Sequence, residues 1–194
     1  MRKWKAVIGL AVGLAFGSPA WATTYTVDKT HTTVGFKIRH LFTQVVGGFD
    51  DFSGTFVYVP DQPDQWNVDA TVQAASINTK TAQRDKHLRS KDFFDVEQFP
   101  TLTFKSTKVT DATAGSAKLE GILTIHGVSK PVVFTLDIHG GGKDPWGNMR
   151  SGFTATTRIN RKDFGLTWNE TVETGQLLVG EDVDLILEVE GIAK

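Results

Sequence analysis

Residues 67–100 read NVDATVQAASINTKTAQRDKHLRSKDFFDVEQFP, and the change of pattern inside them decides the fold. Val68, Ala70, Val72 and Ala74 alternate with Asn67, Asp69, Thr71 and Gln73, which is the period of a strand with one buried face. From Ser76 the alternation stops and charge takes over. Thr79 or Thr81 can cap a short helix through Ala82–Leu88, because a hydroxyl there can accept from the first free backbone N–H groups. Phe93 and Phe94 then set two rings beside Asp92 and Asp95, and Pro100 returns the chain to extended geometry. The excursion reads as a lid, charged outside and aromatic beneath.

Outward from this stretch the strand pattern recurs. Val34, Phe36 and Ile38 alternate with Lys37 and Arg39; Leu119, Gly121, Leu123 and Ile125 share a face; Val132, Phe134, Leu136 and Ile138 share another. Val183, Leu185, Leu187 and Val189 end the chain on a strand. Turn signals stand at Gly47-Gly48, Pro60 to Pro63, Asp111 to Gly115, Gly140 to Gly142 with Pro145, and Gly175. About eight strands at this spacing, in one all-β domain, suit an antiparallel sheet that closes on itself and so removes its edges. A two-sheet sandwich satisfies the same pattern. The chain has 13 Phe and 2 Tyr, and Phe36, Phe104, Phe134 and Phe153 fall on inward faces with Ala70, Ala74, Gly121 and Ala155. An eight-stranded barrel can be filled by such side chains or can hold one ligand.

Several ordered pieces resemble the YceI-like family: Asp28-Lys29-Thr30-His31 ahead of Val34-Gly35-Phe36, then Gly48-Phe49 with Phe52-Ser53-Gly54, then Arg84-Asp85-Lys86-His87-Leu88 and Lys91-Asp92-Phe93-Phe94-Asp95-Val96. Phe99-Pro100 with Phe104-Lys105-Ser106, the run Gly121 to Val128, and Asn160-Arg161-Lys162-Asp163-Phe164-Gly165 complete the set. Thr32 and Thr33 follow His31 where the family is expected to show a serine. The resemblance implies an eight-stranded lipocalin-like barrel with a short helical lid. It further implies a long-chain ligand inside, namely a polyisoprenoid, an isoprenoid quinone or a fatty-acid amide.

Alternation assigns the expected lining to Phe36, Ile38, Val72, Phe104, Leu123, Phe134, Leu136 and Phe153, with Phe93, Phe94, Phe164 and Trp168 at the lid. A register slip in any strand would exchange its set for the outward one. Arg84, Lys86, Arg89 and Lys91 form a basic cluster on the lid, and Arg84, Asp85 and His87, the last oriented by Asp85, are the candidates for meeting a ligand head group. Affinity would come mainly from the tail, since each buried CH₂ contributes about 0.8 kcal/mol.

Catalysis finds little support. The histidines are His31, His40, His87, His126 and His139, with no HExxH or HxH pattern, and there is no GxSxG elbow and no cysteine. No metal site, catalytic residue or cofactor is expected. An envelope lipid hydrolase and a ligand-free protein-binding barrel, as a dimer, stand as alternatives.

At the N-terminus, Arg2, Lys3 and Lys5 precede an uncharged run from Ala6, then Pro19 and Ala20-Trp21-Ala22. This is the layout of a secretory signal, residues 1–22, leaving residues 23–194 as the barrel in a periplasm. Gly17 and Pro19 interrupt the run before the roughly 20 apolar residues that a membrane span needs. Lys and Arg number 21 against 22 Asp and Glu, so no basic excess invites nucleic acid.

Overall fold

A computed structural model describes residues 22–173 and 175–194. The expected signal segment, but for Ala22, lies outside the described residues. Among the described residues eleven strands form a single antiparallel sheet: β1 (Thr24–Val27), β2 (Thr33–His40), β3 (Thr43–Phe49), β4 (Phe52–Val57), β5 (Asn67–Gln73), β6 (Ile77–Asn78), β7 (Thr101–Thr110), β8 (Ser116–Ile125), β9 (Val128–Lys143), β10 (Met149–Asn160) and β11 (Val179–Ala193). Helix α1 (Ala82–Leu88) lies between β6 and β7, where the alternation breaks off.

Three of the legs are bent rather than straight. β1 and β2 both pair with β11, β3 and β4 pair with β2 and β1 respectively, and β5 and β6 pair with β4 and β3. Each couple is therefore one leg interrupted at a bend. The bends lie side by side and are tied together: Asp50 N–H donates to the Ser76 carbonyl, Gln73 N–H to the Asp51 carbonyl, and Ala74 N–H to the Pro100 carbonyl. Counted as legs, the sheet is an eight-stranded up-and-down barrel in which every leg pairs with its neighbour in sequence. The pairing of Tyr25 with Ala193 and Leu185 with Phe36 closes the last leg onto the first. Closure satisfies the backbone groups that a sandwich would leave at its edges, and the all-β barrel with a short helical lid is the fold observed.

Two expected turns are not turns. Gly47 and Gly48 lie inside β3, and the hairpin turns instead at Leu41 and Phe42. Gly140 to Gly142 lie inside β9; that hairpin turns at Asp144–Asn148, where the Asp144 carboxylate accepts from the N–H groups of Trp146 and Asn148 at 2.9 Å each. Gly47 makes room for a ring, because a Cβ there would come within 2.5 Å of Phe36 Cζ. Gly121 does the same under the ring of Phe104.

The core divides along the axis. Phe49, Ile77, Leu102, Leu123, Ile125, Ile159, Phe164 and Leu166 pack at the lid end; Leu119, Phe134, Leu136 and Ala155 pack toward the base. Phe104, Val132 and Leu185 touch both groups. No helix among the described residues is long and apolar enough to cross a membrane.

The base is held by charge. Arg150 donates through Nε to Asp144 at 2.7 Å and through Nη1 to Asp28 at 2.8 Å and Glu190 at 2.5 Å, and His31 Nδ1 lies 2.8 Å from Asp28. The His31 bond, then Arg150 and Thr30, hold the Asp28 carboxyl well below the usual carboxylate range. Arg150, then Asn148, do the same for Asp144. A carboxylate whose pKa is lowered by folding stabilises the fold above its unfolded value, here 3.8, and loses that contribution as pH falls through the folded value. We therefore expect the urea midpoint to drop as pH is lowered below about 4. In Arg150→Met the midpoint should already be lower at neutral pH and should lose less on acidification. Equal acid losses in the two proteins would show that this network does not set the acid limb.

Candidate functional site

The lid is built on one buried carboxylate. Asp85, 7% exposed, accepts from the Thr79 N–H at 2.8 Å and from Thr79 Oγ1 at 2.5 Å. Thr81 stands at the helix N-cap without a capping side-chain bond, so the tie from Asp85 back to Thr79 takes the place of the expected hydroxyl cap. Arg84 folds onto the same corner, donating to Thr79 Oγ1 at 2.7 Å, to the Thr79 carbonyl at 2.8 Å and to Thr81 Oγ1 at 3.1 Å. Arg89 fastens the far side through the carbonyls of Ala75 and Ile77, both at 2.7 Å. Lys86 and Lys91 are exposed.

Beneath this charged surface three rings meet. His87 lies edge-on to Phe93 and Trp168, with centroids 5.1 and 4.9 Å away, and Phe93 and Trp168 are 5.1 Å apart. Trp168 belongs to the connection between β10 and β11, so the cluster joins two separate loops over the barrel mouth. His87 is oriented by Asp92, whose Oδ2 lies 2.8 Å from Nε2, and not by Asp85.

Under the lid the side chains leave a cavity of about 490 Å³. Phe36, Ile38, Phe93, Phe94, Phe164 and Trp168 lie in its wall, as do Arg84 and His87. A second chamber of about 140 Å³ runs deeper and shares Phe36, Phe49, Leu102, Ile125 and Leu185 with the first. Val72, Phe104, Leu123, Phe134 and Phe153 line it. The two chambers adjoin across these shared residues along the barrel interior, the apolar bore of the barrel, so side chains do not fill it as a purely packed barrel would require.

Two expected site residues fall elsewhere. Leu136 borders neither chamber; it lies at the base against a void of about 20 Å³ with Tyr58 and Trp66. Asp85 is turned away from the cavity and committed to Thr79, so its place is structural, as the anchor of the lid. Other wall residues were not anticipated. Phe49 ends β3 and Phe52 begins β4, and the turn signal of Gly47-Gly48 obscured the strand that leads into them. Arg161 lies in the Asn160–Gly165 motif, and Ile159 and Arg161 continue the inward alternation of β10.

Asp28, His31 and Glu190 bring their ligand atoms within 4.8 Å of one another, a spacing that could suit a cation. Arg150 Nη1 already lies on both carboxylates, and the group reads as part of the base network.

Comparison with known proteins agrees with this architecture. A UPF0312 protein of Vibrio cholerae is 38% identical, with the alignment covering 100% of both chains. One of Ectopseudomonas mendocina is 42% identical over 96% of this chain and 97% of its own. Among solved structures, the Campylobacter jejuni YCEI protein is 36% identical and superposes with a TM-score of 0.69 over 86% of this chain and 96% of its own. Burkholderia cenocepacia BcnA has a TM-score of 0.75 at 22% identity, covering 84% and 98%. A polyisoprenoid binding domain from Saccharophagus degradans has one of 0.65 at 16%, covering 88% and 98%; both share the fold. The model of the YceI-like domain matches residues 25–191, and the chain belongs to that family.

Proposed function

We propose that this protein is an exported carrier that encloses a long-chain amphiphile, with the tail in the bore and the head under the lid. The observation that carries the reading is the pair of adjoining apolar chambers, about 490 and 140 Å³, lined from the lid to Phe153 mainly by aromatic and aliphatic side chains. Ten or more methylenes at about 0.8 kcal/mol each offset an ordering cost of several kcal/mol without a charged anchor. Polyisoprenoids, isoprenoid quinones and fatty-acid amides all present such a tail, and a neighbour in fold is named for polyisoprenoid binding. Binding rather than turnover fits a wall in which the Thr79 hydroxyl, beside the Asp85 carboxylate, is also engaged by Arg84 and so holds the lid. The basic start and short apolar run ahead of Ala22 support the export, to a periplasm, that this reading includes.

Native mass spectrometry of protein purified from the envelope fraction, followed by organic extraction, tests this directly. The expected result is one long-chain lipid per chain, released unmodified. Protein that carries none and takes up neither polyisoprenoid nor fatty amide would refute the carrier. Turnover of ester lipids would instead identify a hydrolase.

A further inference from the structure

Arg161 is 3% exposed and stands in the wall of the main cavity. It follows the last residue of β10 and begins the 3₁₀ turn Arg161–Phe164. Its Nε donates to the Gly180 carbonyl at 2.8 Å, and Nη1 donates to the carbonyls of Leu166 and Trp168 at 2.5 and 2.8 Å. Its Nη2 is buried and has no hydrogen-bond partner among the described residues. Among the described residues no carboxylate lies within ion-pair distance of this guanidinium. Glu181 is the acid whose charge it feels, and that carboxylate is bonded to Lys162 at 2.5 Å.

A buried guanidinium stays charged, and burying a charge without a counter-charge is costly. Backbone carbonyls offset part of that cost; both N–H groups of Nη2 remain without an acceptor among the described residues, and Glu181 offsets the charge only from beyond ion-pair distance. Among the described residues the cavity wall contains Arg84 and Arg161 and no Asp or Glu, and Arg84 is bonded to the hydroxyls and carbonyl of Thr79 and Thr81. Asp85 stands behind Arg84 across the Thr79 hydroxyl, whereas Arg161 has no such acid, and an apolar chamber with that guanidinium in its wall is complementary to a ligand that brings its own negative charge.

We propose that Arg161 is the buried anchor for an oxyanion head group, so that the lipid taken by this barrel is a long-chain carboxylate or phosphate whose head lies beside Arg161. The inference rests on the carrier reading and narrows it. The tail then runs from the head into the deeper chamber past Leu123 and Phe134, and Arg84 contributes a second positive charge from the lid.

The test compares hexadecanoate, hexadecyl phosphate and hexadecanol, which share a tail and differ in head, by calorimetry on the full mature chain. The oxyanions should bind at least about tenfold more tightly than the alcohol, since a hydrogen bond to a charged group is stronger than a neutral one. The tighter of the two acids identifies the head. In Arg161→Met the ratio of acid to alcohol affinity should collapse towards one, and measurable hexadecanol binding serves as the check that the chamber is intact. Equal binding of acids and alcohol by the wild type, or an acid preference that survives in Arg161→Met, would overturn the anchor and leave the carrier standing. If none of the three probes binds, the anchor falls, and uptake of polyisoprenoid or fatty amide decides separately whether the carrier stands. Should Arg161→Met not fold, the Arg161 side-chain resonance of the wild type decides the matter: it should shift with hexadecanoate and not with hexadecanol, and an unchanged signal overturns the proposal.

Discussion

Leu123→Trp should abolish tight binding of long-chain ligands while leaving short-chain binding in place. Leu123 is 7% exposed, sits on β8 opposite Phe104 of β7, and lines the deeper chamber but not the one beneath the lid. An indole at this position projects into about 140 Å³ of space and closes the bore below the shared ring of Phe36 and Phe49. Each methylene kept out of that chamber forfeits about 0.8 kcal/mol. Losing roughly four costs ~3 kcal/mol, about a hundredfold in Kd. A short amphiphile held wholly under the lid should bind as it does to the wild type. Overpacking at a core position costs on the order of 1–3 kcal/mol, and the adjoining space relieves part of it, so the fold should survive. Titration of a matched chain-length series checks this. If the longest chain binds the variant as well as the wild type, the tail does not pass Leu123.

The difference between Leu123 and Leu136 shows how far the sequence could be read. Both are inward by alternation, and both are buried. Period two reports the face of a strand but not depth along the barrel axis, so it could not tell that one lines the bore and the other seals the base. The same alternation placed Phe36, Val72, Phe104, Phe134 and Phe153 correctly on the inner face, because those strands have one solvated side and any slip would expose the apolar set. Glycine misled for a physical reason. Within a sheet it can mark a ring's resting place as readily as a turn, and Gly47 beneath Phe36 is the former. The lid was legible as a break in pattern, and its helix spans Ala82–Leu88 as expected. Its fastenings were not legible. The tie of Asp85 to Thr79 and the choice of Asp92 as partner to His87 depend on how a short turn folds back on itself. Arg161 depends on carbonyls up to 19 residues away, at Gly180, a separation across which local pattern carries no information.

Phe164→Ala should be among the most destabilising single substitutions in the chain, and its effect should shrink when ligand is bound. Phe164 is 2% exposed, ends the 3₁₀ turn that begins at Arg161, and packs in the lid-end core with Leu166 and Ile159. The turn is closed by Gly165 in the left-handed region, with φ of 79°, and opened by Asn160, whose side chain accepts from the Lys162 N–H at 3.0 Å. The local backbone therefore has little freedom to collapse into the space left by the ring. Phe→Ala in a core that cannot collapse costs about 3–5 kcal/mol. At roughly 2–4 °C per kcal/mol for a domain of this size, Tm should fall by roughly 6–20 °C. The ring also lines the main cavity, so its removal enlarges a site that a ligand can occupy. Ligand that binds only the folded state stabilises it by RT ln(1 + [L]/Kd), and a bulkier or second tail can recover contacts that the truncated side chain no longer makes. Calorimetric melts of both proteins, delipidated and then saturated with the same lipid, should show a larger Tm deficit without lipid than with it. An equal deficit in the two conditions would mean that Phe164 supports the barrel without bordering the bound ligand, and that the head of the lipid lies away from the Arg161 turn.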